Sequence, residues 1–197
     1  MSKALSEMTL EELWQRFPIS LVEPHEKWAR YYSEMESFLK SILADYAITR
    51  ISHVGSTAIN GIWAKNIVDI LLEIECDENR EKVAETIENQ GFLRMSTSPR
   101  RISFNHGYTR NGFAERVYHL HVRYAGDNRE LYFRDYLNEH PAVAKEYEQL
   151  KLELWKKYEY HRDAYTNAKT AFIEKWTTEA KRIYKNRYGS LSVYRTD

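Results

Sequence analysis

Gly55, Ser56 and Thr57 stand together in the stretch "HVGSTAINGIWAKNIVDILLEIE", and twelve residues after Thr57 comes Asp69, set in an apolar run. A glycine at a strand end permits a tight turn. The hydroxyl residues after it can cap a short helical segment while backbone N–H groups face an anion. Phosphate oxygens suit such a turn. A carboxylate among Ile67, Val68, Ile70, Leu71 and Leu72 is costly to bury alone. Mg²⁺, which takes carboxylate and phosphate oxygens, is one partner that would offset the cost. A lysine or arginine nearby is another.

His119 and His121 lie two apart in "YHLHV" and would share one face of a strand. Beside Asp69 they could hold a transition metal with open positions. They could equally contact phosphate, move a proton, or be hydrogen-bonded within the domain. His53 precedes the turn and can brace it or touch a ligand. Lys65 lies between turn and strand, where a flexible ammonium can reach a phosphate or simply solvent. Arg134, in "FRDYL", offers a planar fork to a phosphate or carboxylate, while Asp135 beside it suits a structural ion pair. Tyr165 and Lys169, four apart, are neighbours on one helix face.

The elements that must position these residues can be read from periodicity. Thr9 and Glu12 form a capping box for a helix through "LEELWQRF", which Pro18 stops. "ISLVE" is expected as a strand. From His25 to Tyr46 apolar residues recur at helical spacing, predicting one long amphipathic helix. "AITRISHV" predicts a strand ending at Gly55. "NIVDILLEIE" predicts a central strand buried on both faces. Asp77 is expected to cap a helix ending at Gly91. "FLRMS", "RRISFNHGYTR" and "RVYHLHVRYA" predict three more strands, the last two joined at Asn111-Gly112. Asn128 is expected to cap a helix to His140, Pro141 to open another, and helical periodicity runs to about residue 185 with breaks near 160.

Strands and helices first, then a helical third, predict an α+β domain with a mixed sheet flanked by helices, the C-terminal helices packed beside or across it. A single domain is expected over 1–186, with a helical extension at about 128–186 and a flexible tail at 187–197.

The chain of 197 residues is 43% hydrophobic and 29% charged, and its 29 basic and 29 acidic residues cancel. Zero net charge argues against a nucleic-acid partner. One cysteine, Cys76, excludes a disulfide framework and a cysteine-based zinc site. No signal-peptide core and no membrane-spanning apolar run is present, so a cytoplasmic protein with no membrane partner is expected. The 15 Tyr and 5 Trp are many, and most suit packing.

"ISHVGSTAINGIWAKNIVDILLEI" resembles the signature of the GrpB family, a group related to the DNA polymerase beta-like nucleotidyltransferases. The resemblance continues in "YHLHV", "LYFRDYLNEHP" and "YEQLKLELWKKYEYHRDAYTNAKTAFI". It implies a nucleotidyltransferase-like sheet with the Gly-Ser turn over an acidic strand. In active superfamily members the turn binds a nucleoside triphosphate. Two carboxylates at alternate strand positions, with a third on a later strand, hold two Mg²⁺ ions. Gly55 and Ser56 match the turn and Asp69 the first carboxylate. Position 71, where the second belongs, is Leu71. Glu73 shares the face, but its Cα is about 13 Å from that of Asp69 at ~3.3 Å per residue, too far to clamp ions about 4 Å apart. The resemblance also places Tyr165 and Lys169 in a Tyr-x-x-x-Lys pattern; on a helix laid across the cleft Tyr165 would stack on a base and Lys169 meet a phosphate, whereas on an ordinary helix Tyr165 would pack in the core. Asn60 and Asn66 replace family prolines, which loosens the expected loop.

Three functions fit: nucleotidyl transfer with Mg²⁺ or another divalent metal; non-catalytic binding of a nucleotide or phosphorylated small molecule; and protein interaction through the aromatic-rich helices. Asp69 is the catalytic and metal-binding candidate, with His119 and His121 as further metal candidates. Gly55, Ser56, Thr57, Lys65, His119, His121, Arg134, Tyr165 and Lys169 are the phosphate-binding candidates.

Overall fold

The computed structural model describes residues 3–75 and 79–189. Helix α1 (Leu10–Arg16) has the expected capping box, with the Thr9 hydroxyl accepting from the Glu12 N–H. Helix α2 (Lys27–Ile42) follows, then strands β1 (Ile48–Val54) and β2 (Val68–Ile74), helix α3 (Arg80–Glu88), and strands β3 (Leu93–Ser98), β4 (Arg101–Thr109) and β5 (Gly112–Tyr124). Helices α4 (Arg129–Glu139), α5 (Pro141–Tyr158), α6 (Arg162–Ala168) and α7 (Thr170–Tyr184) complete the chain. Pro141 takes the first turn of α5, where its missing N–H costs nothing.

The five strands form one mixed sheet in the order β1-β2-β5-β4-β3. Only β2 and β5 pair in parallel, with Asp69 opposite His119 and Leu71 opposite His121. Alternation then sorts the sheet into two faces. Ile70, Leu72, Leu120, Val122, Ile102 and Phe104 point to one side and make a core with Trp28, Tyr31 and Leu39 of α2 and Val83, Ala84 and Ile87 of α3. Asp69, Leu71, Glu73, His119 and His121 point to the other side, toward the C-terminal helices. There Leu71 meets Val54 and Leu131 of α4. A second core joins Tyr132, Phe133 and Tyr136 of α4 to Tyr147 of α5 and Ala180 of α7.

Several local expectations are corrected. "ISLVE" is not a sheet strand. Val22 makes one isolated bridge to Ala64, while Ile19 donates to the Glu159 carbonyl (2.8 Å). The β4–β5 turn falls on Arg110-Asn111, since Thr109 pairs with Gly112. Asn128 precedes α4 but does not cap it. Its amide donates to Glu73 (3.0 Å) and to the Tyr188 carbonyl (3.2 Å). Arg187 and Tyr188 are held against Asp135 of α4. Asp77 lies outside the described residues, as do 190–197 of the expected tail.

Gly55 ends β1 at φ +71°, ψ −170°, a region open essentially to glycine. A Cβ there would come within 2.2 Å of Asp69 Oδ2. Turn and carboxylate are therefore in direct contact. Gly55→Ala is expected to destabilise the fold by roughly 2–5 kcal/mol, from backbone strain plus overpacking, measured by urea unfolding.

Candidate functional site

The polar face of the β2–β5 pair forms the floor of a cavity of about 470 Å³ roofed by α5, α6 and α7. Asp69 lies on that floor with its side chain 27% exposed. His119 Nδ1 lies 3.0 Å from Asp69 Oδ1. A carboxylate only accepts, so Nδ1 carries the proton. Neutral His119 then accepts at Nε2 from the Tyr108 hydroxyl (2.8 Å), whose oxygen accepts from Arg162 (2.9 Å). The result is an ordered relay, Arg162 to Tyr108 to His119 to Asp69. Burial holds the His119 pKa below the ordinary value against the pull of Asp69. Burial alone would raise the Asp69 pKa, but the His119 hydrogen bond and neighbouring His121 outweigh it and hold the carboxyl well below the usual range. His121 Nε2 is 3.8 Å from Asp69 Oδ1 and its Nδ1 is 3.3 Å from the Ser103 hydroxyl.

Tyr108 reaches this relay because of a bulge. The β4–β5 register shifts between His106, opposite Tyr118, and Tyr108, opposite Phe113, so that on β4 Gly107 alone, at φ +87°, stands against four residues of a bulged β5. His106 faces Phe92 on the apolar side, and the bulge returns Tyr108 to the polar side. A Cβ on Gly107 would lie 2.2 Å from the Arg116 carbonyl oxygen, so only glycine fits there.

The roof supplies cations. Lys169 Nζ sits 4.4 Å from the centre of the Tyr165 ring and Lys65 Nζ 5.9 Å from it. Lys151 Nζ sits 4.9 Å from the Tyr147 ring and donates to the Trp63 carbonyl. Burial lowers all three pKa values, to about 7 for Lys65 and Lys151 and about 8 for Lys169. Lys169 lowers the other two further, and Arg162 adds to the effect on Lys65. Arg101 and Glu130, also on the cavity wall, are already paired, with Asp127 and Arg123. Among the described residues neither Lys65 nor Lys169 has a carboxylate within ion-pair distance.

Gly55, Ser56, Lys65, Asp69, His119, His121, Tyr165 and Lys169 all line the one cavity. Ser56 lies beside Tyr147, whose hydroxyl pKa burial pushes up to about 12. Three sequence expectations change. Thr57 is turned inward: its hydroxyl donates to the Ile67 carbonyl (3.2 Å) and accepts from His53 Nε2 (3.0 Å). His53 therefore braces the turn, and burial with nearby Arg134 lowers its pKa to about 4. Arg134 lies outside the cavity lining. Its fork binds Asp135 and the His53 carbonyl (2.8 Å), fixing α4 to β1. Tyr165 is buried to 1% exposure, and its face is taken by the two ammonium groups. Base stacking is not what it is placed for.

The loop with Asn60 and Asn66 is held without the prolines. The Asn60 N–H, which proline would lack, donates to Asn138 (2.8 Å), and Asn66 accepts from the Trp28 indole (2.8 Å). Sequence reasoning missed Tyr108, Lys151 and Arg162. One signal was available: Tyr147 and Lys151 repeat the Tyr-x-x-x-Lys spacing of Tyr165 and Lys169.

A two-Mg²⁺ set does not fit these residues. Leu71 is fully buried where the second carboxylate belongs. Glu73 is spent on the Gly126 N–H (2.8 Å) and Asn128. Among the described residues no group of three or more His, Cys, Asp or Glu is placed to hold a metal ion.

The fold is that of the nucleotidyltransferase-like class, a mixed five-stranded sheet flanked by helices. A distant likeness to the GLD-2/RNP-8 complex, with TM-score 0.50 and 13% identity over 89% of this chain and 70% of that one, concerns the fold alone. The chain belongs to the GrpB family: residues 18–179 match the model of GrpB proteins. It is 35% identical over 170 residues to the glutamate-rich protein GrpB of Alkalihalophilus pseudofirmus, covering 82% of this chain and 95% of that one. The conserved protein GrpB from Enterococcus faecalis has a similar crystal structure, with TM-score 0.73 and 30% identity over 84% of this chain and 99% of that one. No helix among the described residues is long and apolar enough to cross a membrane.

Two predictions follow from the cations. Lys65→Met removes a poorly solvated charge that faces Lys169 and Arg162, so the ligand-free Tm is expected to rise by about 2–4 °C in scanning calorimetry. The three lysines bind protons more weakly folded than unfolded, where the ordinary value is 10.5. The unfolded chain therefore holds the excess protons above about pH 7. Their contribution makes stability rise with pH, and urea midpoints are expected to increase from pH 7 to 9.

Proposed function

We propose that the cavity binds a nucleotide or another phosphorylated small molecule and does not carry out two-metal nucleotidyl transfer. The observation that carries this reading is the meeting of Lys65, Lys151, Lys169 and Arg162 around the Gly55-Ser56 turn, with Asp69 as the one carboxylate on the floor. Poorly solvated cations that lack counter-ions repel one another and favour an anion. Lysine suits this role as a point charge on a flexible stem, and Arg162 adds planar donors. The roles divide by element. The β1 turn offers backbone N–H groups and the Ser56 hydroxyl. The roof offers charge. Asp69 and His119 keep Arg162 and Tyr108 in place through the relay.

Transfer is disfavoured by the same residues. Leu71 leaves the two-ion arrangement without its second carboxylate, and the hydrogen bond from His119 already engages Asp69. Charge stabilisation of a moving phosphoryl group would lose its largest contribution.

The test is a thermal-shift series with nucleoside mono-, di- and triphosphates and coenzyme A precursors. A ligand at 100-fold its Kd is expected to add about 2.7 kcal/mol, a shift of several degrees. Lys169→Met should abolish the shift while leaving the free protein folded. Pyrophosphate release from a nucleoside triphosphate with Mg²⁺ or Mn²⁺, lost in Asp69→Asn, would refute the non-catalytic part of the reading.

A further inference from the structure

The cation count and the missing carboxylate together define the kind of phosphate the cavity suits. We propose that its ligand is a di- or triphosphate chain bound free of divalent metal, with Lys65, Lys151, Lys169 and Arg162 supplying the charge that metal ions supply elsewhere in this fold class. The proposal rests on the reading of the cavity as a phosphate site and goes beyond it.

Beyond the paired Arg101 and Glu130, the lining holds five cations, Lys65, Arg129, Lys151, Arg162 and Lys169, and two carboxylates, Asp69 and Glu174. With all the lysines protonated, the state a bound anion favours, the excess is three positive charges. A single phosphomonoester carries about two negative charges at neutral pH and leaves one cation uncompensated. A pyrophosphate or triphosphate chain compensates all three. The cations are also spread in a way one phosphate does not need. Lys169, at the end of α6, and Lys65, in the loop before β2, lie 4.4 and 5.9 Å from the Tyr165 ring centre. Lys151 is fixed to a different helix over Tyr147, 4.9 Å from its ring centre, and is tied to the Trp63 carbonyl. Arg162 enters from the start of α6 with a buried Nε that has no hydrogen-bond partner among the described residues. Arg162 itself lines the cavity, and its guanidinium is suited to an anionic oxygen.

The same arrangement opposes a metal-bound chain. A Mg²⁺ ion on the phosphates would bring two more positive charges among these cations. The carboxylate pair that would attract it is absent, because Leu71 fills that position and Glu73 is committed to Gly126 and Asn128. Chelation of the chain by Mg²⁺ therefore competes with the lysines for the same oxygens.

Isothermal titration with inorganic tripolyphosphate, ATP and AMP, each in EDTA and in excess MgCl₂, tests this. In EDTA, tripolyphosphate and ATP are expected to bind at least about tenfold tighter than AMP, the worth of one added charge-assisted contact. Excess Mg²⁺ is expected to weaken both by a similar factor. The K65M/K169M double variant should lose the difference between ATP and AMP while keeping its circular dichroism spectrum. Binding that needs Mg²⁺ or is strengthened by it would overturn the metal-free assignment and leave the phosphate site standing. Equal affinity for AMP and ATP would overturn the chain assignment alone. Absence of binding by all three probes in both buffers would overturn this proposal and the phosphate site together.

Discussion

The Asp69 carboxylate is gripped from two sides, and the rest of the site is arranged around that grip. On one side the Gly55 backbone packs so closely that no side chain fits between them. On the other, His119 donates to Oδ1 across the single parallel pair of the sheet. The grip ties the turn after β1, the strand β2 and the strand β5 to one atom group. Any shift of one strand by a residue would move Asp69 to the apolar face and dissolve it. The polar face of β2 and β5 is thus fixed in register by chemistry as well as by the core on the opposite face.

A cost accompanies this arrangement. Three lysines and an arginine converge with little compensation, and burial depresses the lysines toward neutral pKa values. Such a cluster lowers the stability of the free protein. Two features limit the loss. Tyr147 and Tyr165 present ring faces to the ammonium groups, a favourable contact for a poorly solvated cation. The loop from Gly55 to Ile67 is then fastened by side chains of α4 and α5, including Asn138 and Lys145, so the turn stays positioned despite the repulsion beside it.

Much of the fold was legible in the sequence because it rests on periodicity. The alternation in β2 and β5, the apolar stripe of α2 and the proline at the start of α5 each carry a local physical signal. "ISLVE" failed because apolar, β-branched residues mark burial as readily as pairing: Ile19 and Leu21 are buried, without a sheet neighbour. In the site, Asp69 and the two histidines stood out by type and spacing. Their meeting did not, since it depends on a parallel pairing fifty residues apart in sequence. Tyr108 was invisible because the register shift opposite Gly107 reverses its face. Lys151 was invisible because a lysine in a helix reads as solvated surface, whereas here it is 1% exposed. Arg134 misled for the opposite reason: its fork suits a phosphate, and the carboxylate it found was the next residue.

The doubled Tyr-x-x-x-Lys spacing explains how the roof is built. Residues four apart on a helix lie over one another, so each lysine is laid along its own tyrosine ring. Tyr147 and Lys151 do this on α5, and Tyr165 and Lys169 at the end of α6. Two helices bearing the same pair, packed side by side, bring two cations to one cavity with their stems already immobilised. The side-chain entropy is thereby lost at folding and not at binding. A roof assembled in this way holds its ammonium groups in place within the fold. Leu71 fits the same logic, because a second carboxylate beside Asp69 would offset the charge of the cluster, whereas leucine joins α4 to the sheet.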